Sequence, residues 1–183
     1  MVSFEIPIEK MELKKALIIT GKLVQDHEFI YPYYRAQEEG FDVVVASEDG
    51  KETVGQLGTK IPVNLSIDAV NPEDYDLLIL PGGAKSMEYI RQNKKILGLI
   101  KEWDRKGKII ASICHAGQLL ISAEIVKGRK ISGYYSIKDD INNAGAIYVD
   151  SPFVTDKNIV SSPHYKHLGP WMKEVFRVYY ETQ

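Results

Sequence analysis

Residues 108–121, KIIASICHAGQLLI, join a short apolar run to an amphipathic one through a single cysteine. Lys108 to Ile113 is rich in β-branched residues, the pattern of a strand covered on both faces. Gln118 to Ile121 continues as an amphipathic helix. Cys114 stands between them, with Ser112 two residues before it, Ala116 two after it and Gly117 next. Small residues at those offsets suit a tight strand-to-helix turn, because larger side chains would collide across it. The logic is that of the G-x-S-x-G elbow, with cysteine in the serine position. A thiol at a helix N-terminus faces unpaired N–H groups and a partial positive charge, which favour thiolate and lower its pKa below about 8.5. The same N–H groups can stabilise an oxyanion formed when sulfur attacks a carbonyl. A lone cysteine is also a common inert core residue, so the rest of the chain has to weigh on the choice.

Composition sets several bounds. A chain of 183 residues, 44% hydrophobic and 26% charged, is the size and make-up of one globular domain. A formal net charge of −2 leaves no electrostatic footprint for nucleic acid or an anionic membrane. One cysteine excludes an intrachain disulfide and fits a reducing compartment. No apolar run approaches the ~20 residues that span a bilayer, and MVSFEIPIEKMELKK lacks the apolar centre of a signal peptide. The expectation is a cytoplasmic protein with an N-terminal extension over residues 1–13 and a single domain over 14–183.

Working outward, buried strands are expected at Lys15–Thr20, Phe41–Ala46 and Asp76–Leu80, each a short apolar run. Residues 27–39 read as a helix closed by Gly40. Pro32 predicts that this helix starts near Tyr31 or bends there, since mid-helix proline costs about 3 kcal/mol. KETVGQ against TKIPVN, between Ser47 and Asn64, suggests a small hairpin. Pro81-Gly82-Gly83 ends the third strand. Helices follow at Ser86–Gln92 and Lys94–Lys106. Beyond the cysteine, a strand is expected at Lys130–Tyr134, a short helix at Ile137–Ala144, and short strands at 146–150, 153–155 and 158–162. The terminal helix, His167–Thr182, carries Leu168, Trp171, Met172, Val175, Phe176 and Tyr179 at helical spacing, a stripe for the core or a subunit contact. Alternating strands and helices predict an α/β fold with a largely parallel sheet covered on both sides. Ligands of such sheets bind beyond the carboxyl ends of the strands, at a topological switch point. The loops 21–28, 81–88 and 114–117 are therefore the candidates.

LPGG at 80–83, ASICHAG at 111–117, KGRKISGYYSIKDDINNAGA at 127–146 and WMKEVF at 171–176 together resemble the ThiJ/PfpI superfamily, near its group of intracellular cysteine peptidases and glyoxalases. The similarity runs from about Lys14 onward. It implies a flavodoxin-like three-layer sandwich and a nucleophilic Cys114. It also implies that Glu28, in DHEFIYP, places its carboxyl against the sulfur. A carboxylate beside a thiolate is unfavourable, so the pair would share a proton and Glu28 would have a raised pKa. His115 is adjacent to Cys114 in a helix and points about 100° away, so it reaches the sulfur only if the elbow is strained. The resemblance suggests a Cys-His pair oriented by an acid from a neighbouring subunit, and Glu88 matches that acid. Gly82 and Gly83 let backbone approach a substrate closely, and the N–H groups of Gly83 and His115 are oxyanion-hole candidates. Tyr134 matches a tyrosine that faces the pocket.

Two departures stand out. Gln25 occupies a place where the peptidase branch commonly has glutamate. Ser161-Ser162-Pro163-His164-Tyr165 stands where relatives commonly read Ser-Arg, which removes an anion anchor from the pocket rim. His164 and His167 could join Cys114 or Glu28 as zinc ligands, but two histidines three apart near a helix start read first as surface residues, and no metal is expected.

The leading expectation is an enzyme that needs no cofactor. Cys114 adds to a small reactive carbonyl such as methylglyoxal or glyoxal, and Glu28 moves protons to yield a 2-hydroxy acid, or reverses the related glycation. The alternative is a peptidase or amidase using Cys114, His115 and Glu88. A third reading is a redox sensor or chaperone-like protein, because an accessible thiolate oxidises readily. A homo-oligomer, a dimer or a ring built from dimers, is expected if Glu88 completes a neighbour's site.

Overall fold

The computed structural model describes residues 13–183. The expected extension over 1–13 lies, apart from Leu13, outside them. In chain order the elements are β1 (Lys15–Ile19), α1 (Asp26–Glu38), β2 (Asp42–Ser47), β3 (Thr53–Val54), β4 (Lys60–Ile61), β5 (Leu65–Ser66), β6 (Leu77–Leu80), α2 (Ala84–Ile90) and α3 (Lys94–Arg105). There follow β7 (Ile109–Ile113), α4 (Gly117–Ser122), β8 (Lys130–Ile131), α5 (Lys138–Asn143), β9 (Ile147–Tyr148), β10 (Val154–Asp156), β11 (Ile159–Ser162) and α6 (Leu168–Glu181).

Seven strands form the central sheet in the order β10-β11-β7-β6-β1-β2-β5. All neighbours are parallel except β10 and β11. Alternation of side chains along each strand builds two cores. Leu17, Ile19, Leu78, Leu80 and Ile110 face α2, α3 and α4, where Trp103 is fully buried. Ala16, Ile18, Ile79, Ala111 and Ile113 face α1 and α6. This is the flavodoxin-like sandwich. The chain runs outward from β1 to β2 and β5, then returns to β6 on the other side of β1. That reversal opens the crevice between β1 and β6, where their carboxyl ends, together with that of β7, deliver Glu28, Gly82 and Cys114.

Several expectations need correcting. Helix α1 starts at Asp26, well before Tyr31, and contains Pro32. The Gln25 side chain caps it by accepting from the Glu28 N–H at 3.1 Å, and buried Phe29 anchors its first turn. These contacts outweigh the proline. The strand expected at Lys130–Tyr134 is only Lys130–Ile131 and pairs with β9 in a separate two-stranded parallel sheet. Beyond it Tyr134 leads into a turn of 3-10 helix at Tyr135–Ile137. The hairpin is present as antiparallel β3 and β4. Most of the terminal aromatic stripe is consumed inside the molecule: Trp171, Met172, Val175, Phe176 and Tyr179 are buried against the sheet, and Trp171 Nε1 donates to Val160 O. It leaves little apolar area for a partner. Among the described residues no helix is long and apolar enough to cross a membrane.

Candidate active site

Strand β7 ends in the turn expected of a nucleophile elbow. Cys114 has φ +60°, a conformation that costs a non-glycine residue roughly 1–3 kcal/mol. A turn of 3-10 helix, Cys114–Ala116, precedes the six-residue α4. The polarising groups are therefore individual amides rather than a long helix dipole. The N–H groups of His115 and Gly83 are directed at the sulfur.

Glu28, from the first turn of α1, is completely buried. Its Oε2 accepts from the Gly82 N–H at 2.8 Å. Among the described residues its Oε1 has no hydrogen-bond partner, and the carboxyl lines the same cavity as the Cys114 thiol. Burial pushes the Glu28 carboxyl up to about 8, against the pull of Cys114 and the Gly82 N–H. Burial and the negative charge of Glu28 also push the Cys114 thiol up, and the amides of His115 and Gly83 recover only part of this. The expectation of a simply depressed thiol pKa is thus overturned. The elbow's amides do favour thiolate, but the cysteine is only 6% exposed and faces an acid. Sulfur and carboxyl titrate as one unit.

The glycine turn is required by closeness of approach. A Cβ on Gly82 would lie 2.7 Å from Glu28 Oε2, 2.7 Å from Ile113 O and 2.9 Å from His115 N. Gly83 has φ +100°, and a Cβ there would meet Gln25 N at 2.6 Å.

His115 reaches Cys114 after all. Its Nδ1 lies 3.4 Å from Sγ and its Nε2 3.3 Å from Ser136 Oγ. The left-handed φ of Cys114 swings the two adjacent side chains together, which a regular helix would forbid. Burial lowers the His115 pKa. Its ring packs on Tyr134 at 4.8 Å between centroids. Glu88 is not brought to this site: its side chain is exposed, and Lys85 Nζ lies 3.7 Å away.

These residues line a cavity of about 230 Å³. Cys114, Glu28, Gly83, His115, Tyr134 and His164 line it, with the Tyr134 ring packed against both imidazoles. Gln25, Gln56, Ala84 and Tyr165 complete it. Larger clefts of about 460 and 490 Å³ lie elsewhere and hold neither cysteine nor histidine. His167 lines the neighbouring cleft together with His164. Among the described residues no three of histidine, cysteine, aspartate and glutamate gather as a metal site.

Sequence reading gave no role to Gln56, Ser136 or Asp26, and named Gln25 only as standing where the peptidase branch commonly has glutamate. Gln56 lies in the five-residue turn of the hairpin, residues 55–59, which carries no motif. Asp26, next to the predicted helix, is buried and binds the N–H groups of Leu57 at 2.8 Å and Thr59 at 3.0 Å. Its burial, unusual for aspartate, was the signal only tertiary structure could supply.

The sequence profile of the DJ-1/PfpI family matches residues 14–177. A deglycase of Pyrococcus horikoshii is 43% identical over 164 residues, 90% of this chain and 98% of that protein. Protein/nucleic acid deglycase 2 of Escherichia coli is 34% identical, spanning 92% of this chain and 98% of its own. Drosophila melanogaster DJ-1beta shares the fold with a TM-score of 0.84 at 24% identity, over 92% of this chain and 90% of that one. By profile and by relatives matched over nearly their full length, this chain belongs to the DJ-1/PfpI family.

Proposed function

We propose that this chain is a cysteine enzyme acting without a cofactor on small reactive carbonyl compounds and on the adducts they form with amines and thiols. The observation that carries the reading is the fully buried Glu28 carboxyl in the same cavity as Cys114, with the N–H groups of His115 and Gly83 aimed at the sulfur. A volume of about 230 Å³ is below the range of drug-sized sites and suits a substrate of a few carbon atoms. Relatives named as deglycases are in keeping with it.

With methylglyoxal the steps balance as follows. The thiolate adds to the aldehyde carbon, and the oxygen takes a proton to give a hemithioacetal. The Glu28 carboxylate removes the hydrogen of that carbon as a proton and returns it to the neighbouring ketone carbon. The hydroxyl on the sulfur-bearing carbon gives up its proton as the ketone oxygen gains one, so that the carbonyl passes from one carbon to the other and a thioester of lactate is left. Water cleaves the thioester, releasing lactate and regenerating the thiol. The carbon skeleton is oxidised at one atom and reduced at the next, so no external redox partner is needed. Release of a glycated amine begins with the same carbonyl transferred to sulfur as the amine leaves.

The test is incubation of purified protein with methylglyoxal in the absence of glutathione. Lactate should appear with wild type and vanish with Cys114→Ser and Glu28→Gln. No lactate and no release of amine from a glycated peptide by wild type would overturn the reading.

A second reading is an amidase. The Cys114–His115 approach of 3.4 Å favours it, with Glu88 supplied by a second copy of the chain in a homo-oligomer. Peptide-amide hydrolysis lost on both His115→Ala and Glu88→Gln would move it ahead.

A further inference from the structure

We propose that Gln56 sets the charge preference of the pocket, selecting uncharged carbonyl compounds over those that carry a carboxylate. This rests on Cys114 being the nucleophile of the preceding reading and adds to it the class of substrate.

The hairpin that carries Gln56 lies outside the central sheet, yet it is pinned. Leu23 N–H donates to Val54 O at 2.9 Å, and Gln56 N–H donates to Val24 O at 3.0 Å. Asp26 accepts from Leu57 and Thr59 on the other side of the tip. A Cβ on Gly55 would fall 2.3 Å from Asp26 Oδ1, so the turn packs flush against the carboxylate. The backbone of Gln56 is thereby fixed where the residue lines the cavity. Its carboxamide lies across Gly83, with Nε2 3.1 Å from where a Gly83 Cβ would stand.

What surrounds it is electrically bare. Among the described residues no lysine or arginine lines this cavity. His115 and His164 both have pKa values lowered by burial, His164 also by the charges of Lys166 and His167, so both are neutral at neutral pH. Lys166 lines the adjoining cleft, and Lys85 stands in solvent beside Glu88. The charge the cavity can acquire is negative, on the Glu28–Cys114 pair. A substrate carboxylate would be desolvated beside that pair with no counter-ion, which is strongly unfavourable. The Gln56 amide offers two donors and one acceptor without charge, a match for hydroxyl and keto oxygens.

Iodoacetamide and iodoacetate are near-isosteric probes that differ in one negative charge, and both report on Cys114 without requiring turnover. Their alkylation rates are measured on wild type, Gln56→Lys and Gln56→Glu, normalised to the same two rates on N-acetylcysteine, with thermal melts to verify folding of each variant. Wild type should disfavour iodoacetate by tenfold or more relative to the free thiol. Gln56→Lys should raise the iodoacetate-to-iodoacetamide ratio about tenfold, and Gln56→Glu should lower it further. Ratios within twofold of one another across the three folded proteins, or a wild type that shows no discrimination beyond the free thiol, would overturn the proposal. A shifted ratio in a protein that makes no lactate would count against the carbonyl reading and still support charge selection at Gln56.

Discussion

The Gly82 N–H donates to one oxygen of Glu28 at 2.8 Å and, among the described residues, leaves the other oxygen buried without a partner in the cavity that Cys114 also lines. A single backbone amide from the end of β6 thus holds an acid from the start of α1 against a sulfur from the end of β7. Three strand ends meet through one carboxyl group.

Because burial and the Glu28 charge push the Cys114 thiol up, alkylation of the sulfur should climb with pH through a midpoint above that of a free thiol. Glu28→Gln removes that charge and should lower the midpoint by a unit or more. Iodoacetamide rates from pH 5 to 10 on both proteins measure this. Superimposable profiles would mean that no proton passes between the residues.

The raised Glu28 pKa also acts on stability. The unfolded carboxyl ionises near 4.5 and the folded one at about 8. Between these values the folded state holds the extra proton, so its contribution is full below 4.5 and is lost as pH rises to 8. Glu28→Gln, neutral throughout, should be more stable than wild type at pH 8 by a few kcal/mol, and by less at pH 5. Urea denaturation at the two pH values reads the difference. An equal effect at both would exclude a titrating Glu28.

Gly82→Ala places a methyl group against Glu28 Oε2 and the backbone of Ile113 and His115. Backbone cannot yield as a flexible side chain does, so the carboxyl must move. Lactate formation should fall by roughly 10²-fold, as expected when a reacting group is displaced by about 1 Å. The variant should also lose about 1–3 kcal/mol of stability. Gly98→Ala, where nothing lies within 4 Å of the new methyl, is the control and should keep full activity.

Asp26 is a positioning residue acting through the hairpin. Burial alone would raise its pKa, but bonds from Thr59 and Leu57 together hold it below the ordinary value of 3.8. Its contribution to stability is therefore present above 3.8 and lost as pH falls through the lower folded value. Asp26→Asn turns one acceptor into a donor facing an N–H group and should cost about 1–3 kcal/mol. Hydrogen exchange of the Leu57 and Thr59 amides should accelerate by tenfold or more. In the Gln56 experiment its discrimination between the two iodo-probes should shrink toward that of the free thiol. Unchanged exchange would mean that the hairpin is held by other contacts.

His115 is bonded to Ser136 in the single chain. Ser136→Ala frees the imidazole from one of its two partners. Under the carbonyl reading, thioester hydrolysis should slow about tenfold or less, with formation of the hemithioacetal unaffected. A loss as large as that of Cys114→Ser would place His115 in the first step and favour the amidase.

Much of the molecule could be read in the chain. The strand runs at 15, 42, 77 and 109 are continuous apolar stretches because parallel strands are covered on both faces, and so they announce themselves. Cys114 and its small neighbours carried the elbow. Harder cases turned on a side-chain cap or on contacts between segments distant in sequence. Pro32 argued for a late helix start, yet Gln25 capping and Phe29 burial overrode it. Lys130–Tyr134 had the composition of a strand, yet only two residues found a partner. Leu65–Ser66, with no strand signal, became the sheet edge by pairing with Ala46–Ser47.

Local periodicity and turn chemistry, properties of neighbouring residues, were enough to specify the layered α/β fold and the position of a candidate nucleophile. Which groups surround that nucleophile was settled by tertiary contacts, because the order of strands brings residues 28, 82 and 114 together and the hairpin pinned on Leu23, Val24 and Asp26 adds residue 56. The ionisation of Cys114 belongs to this second category. An isolated elbow lowers a thiol's pKa, whereas a buried acid and a desolvated cavity raise it, and their balance depends on distances that no sequence pattern encodes.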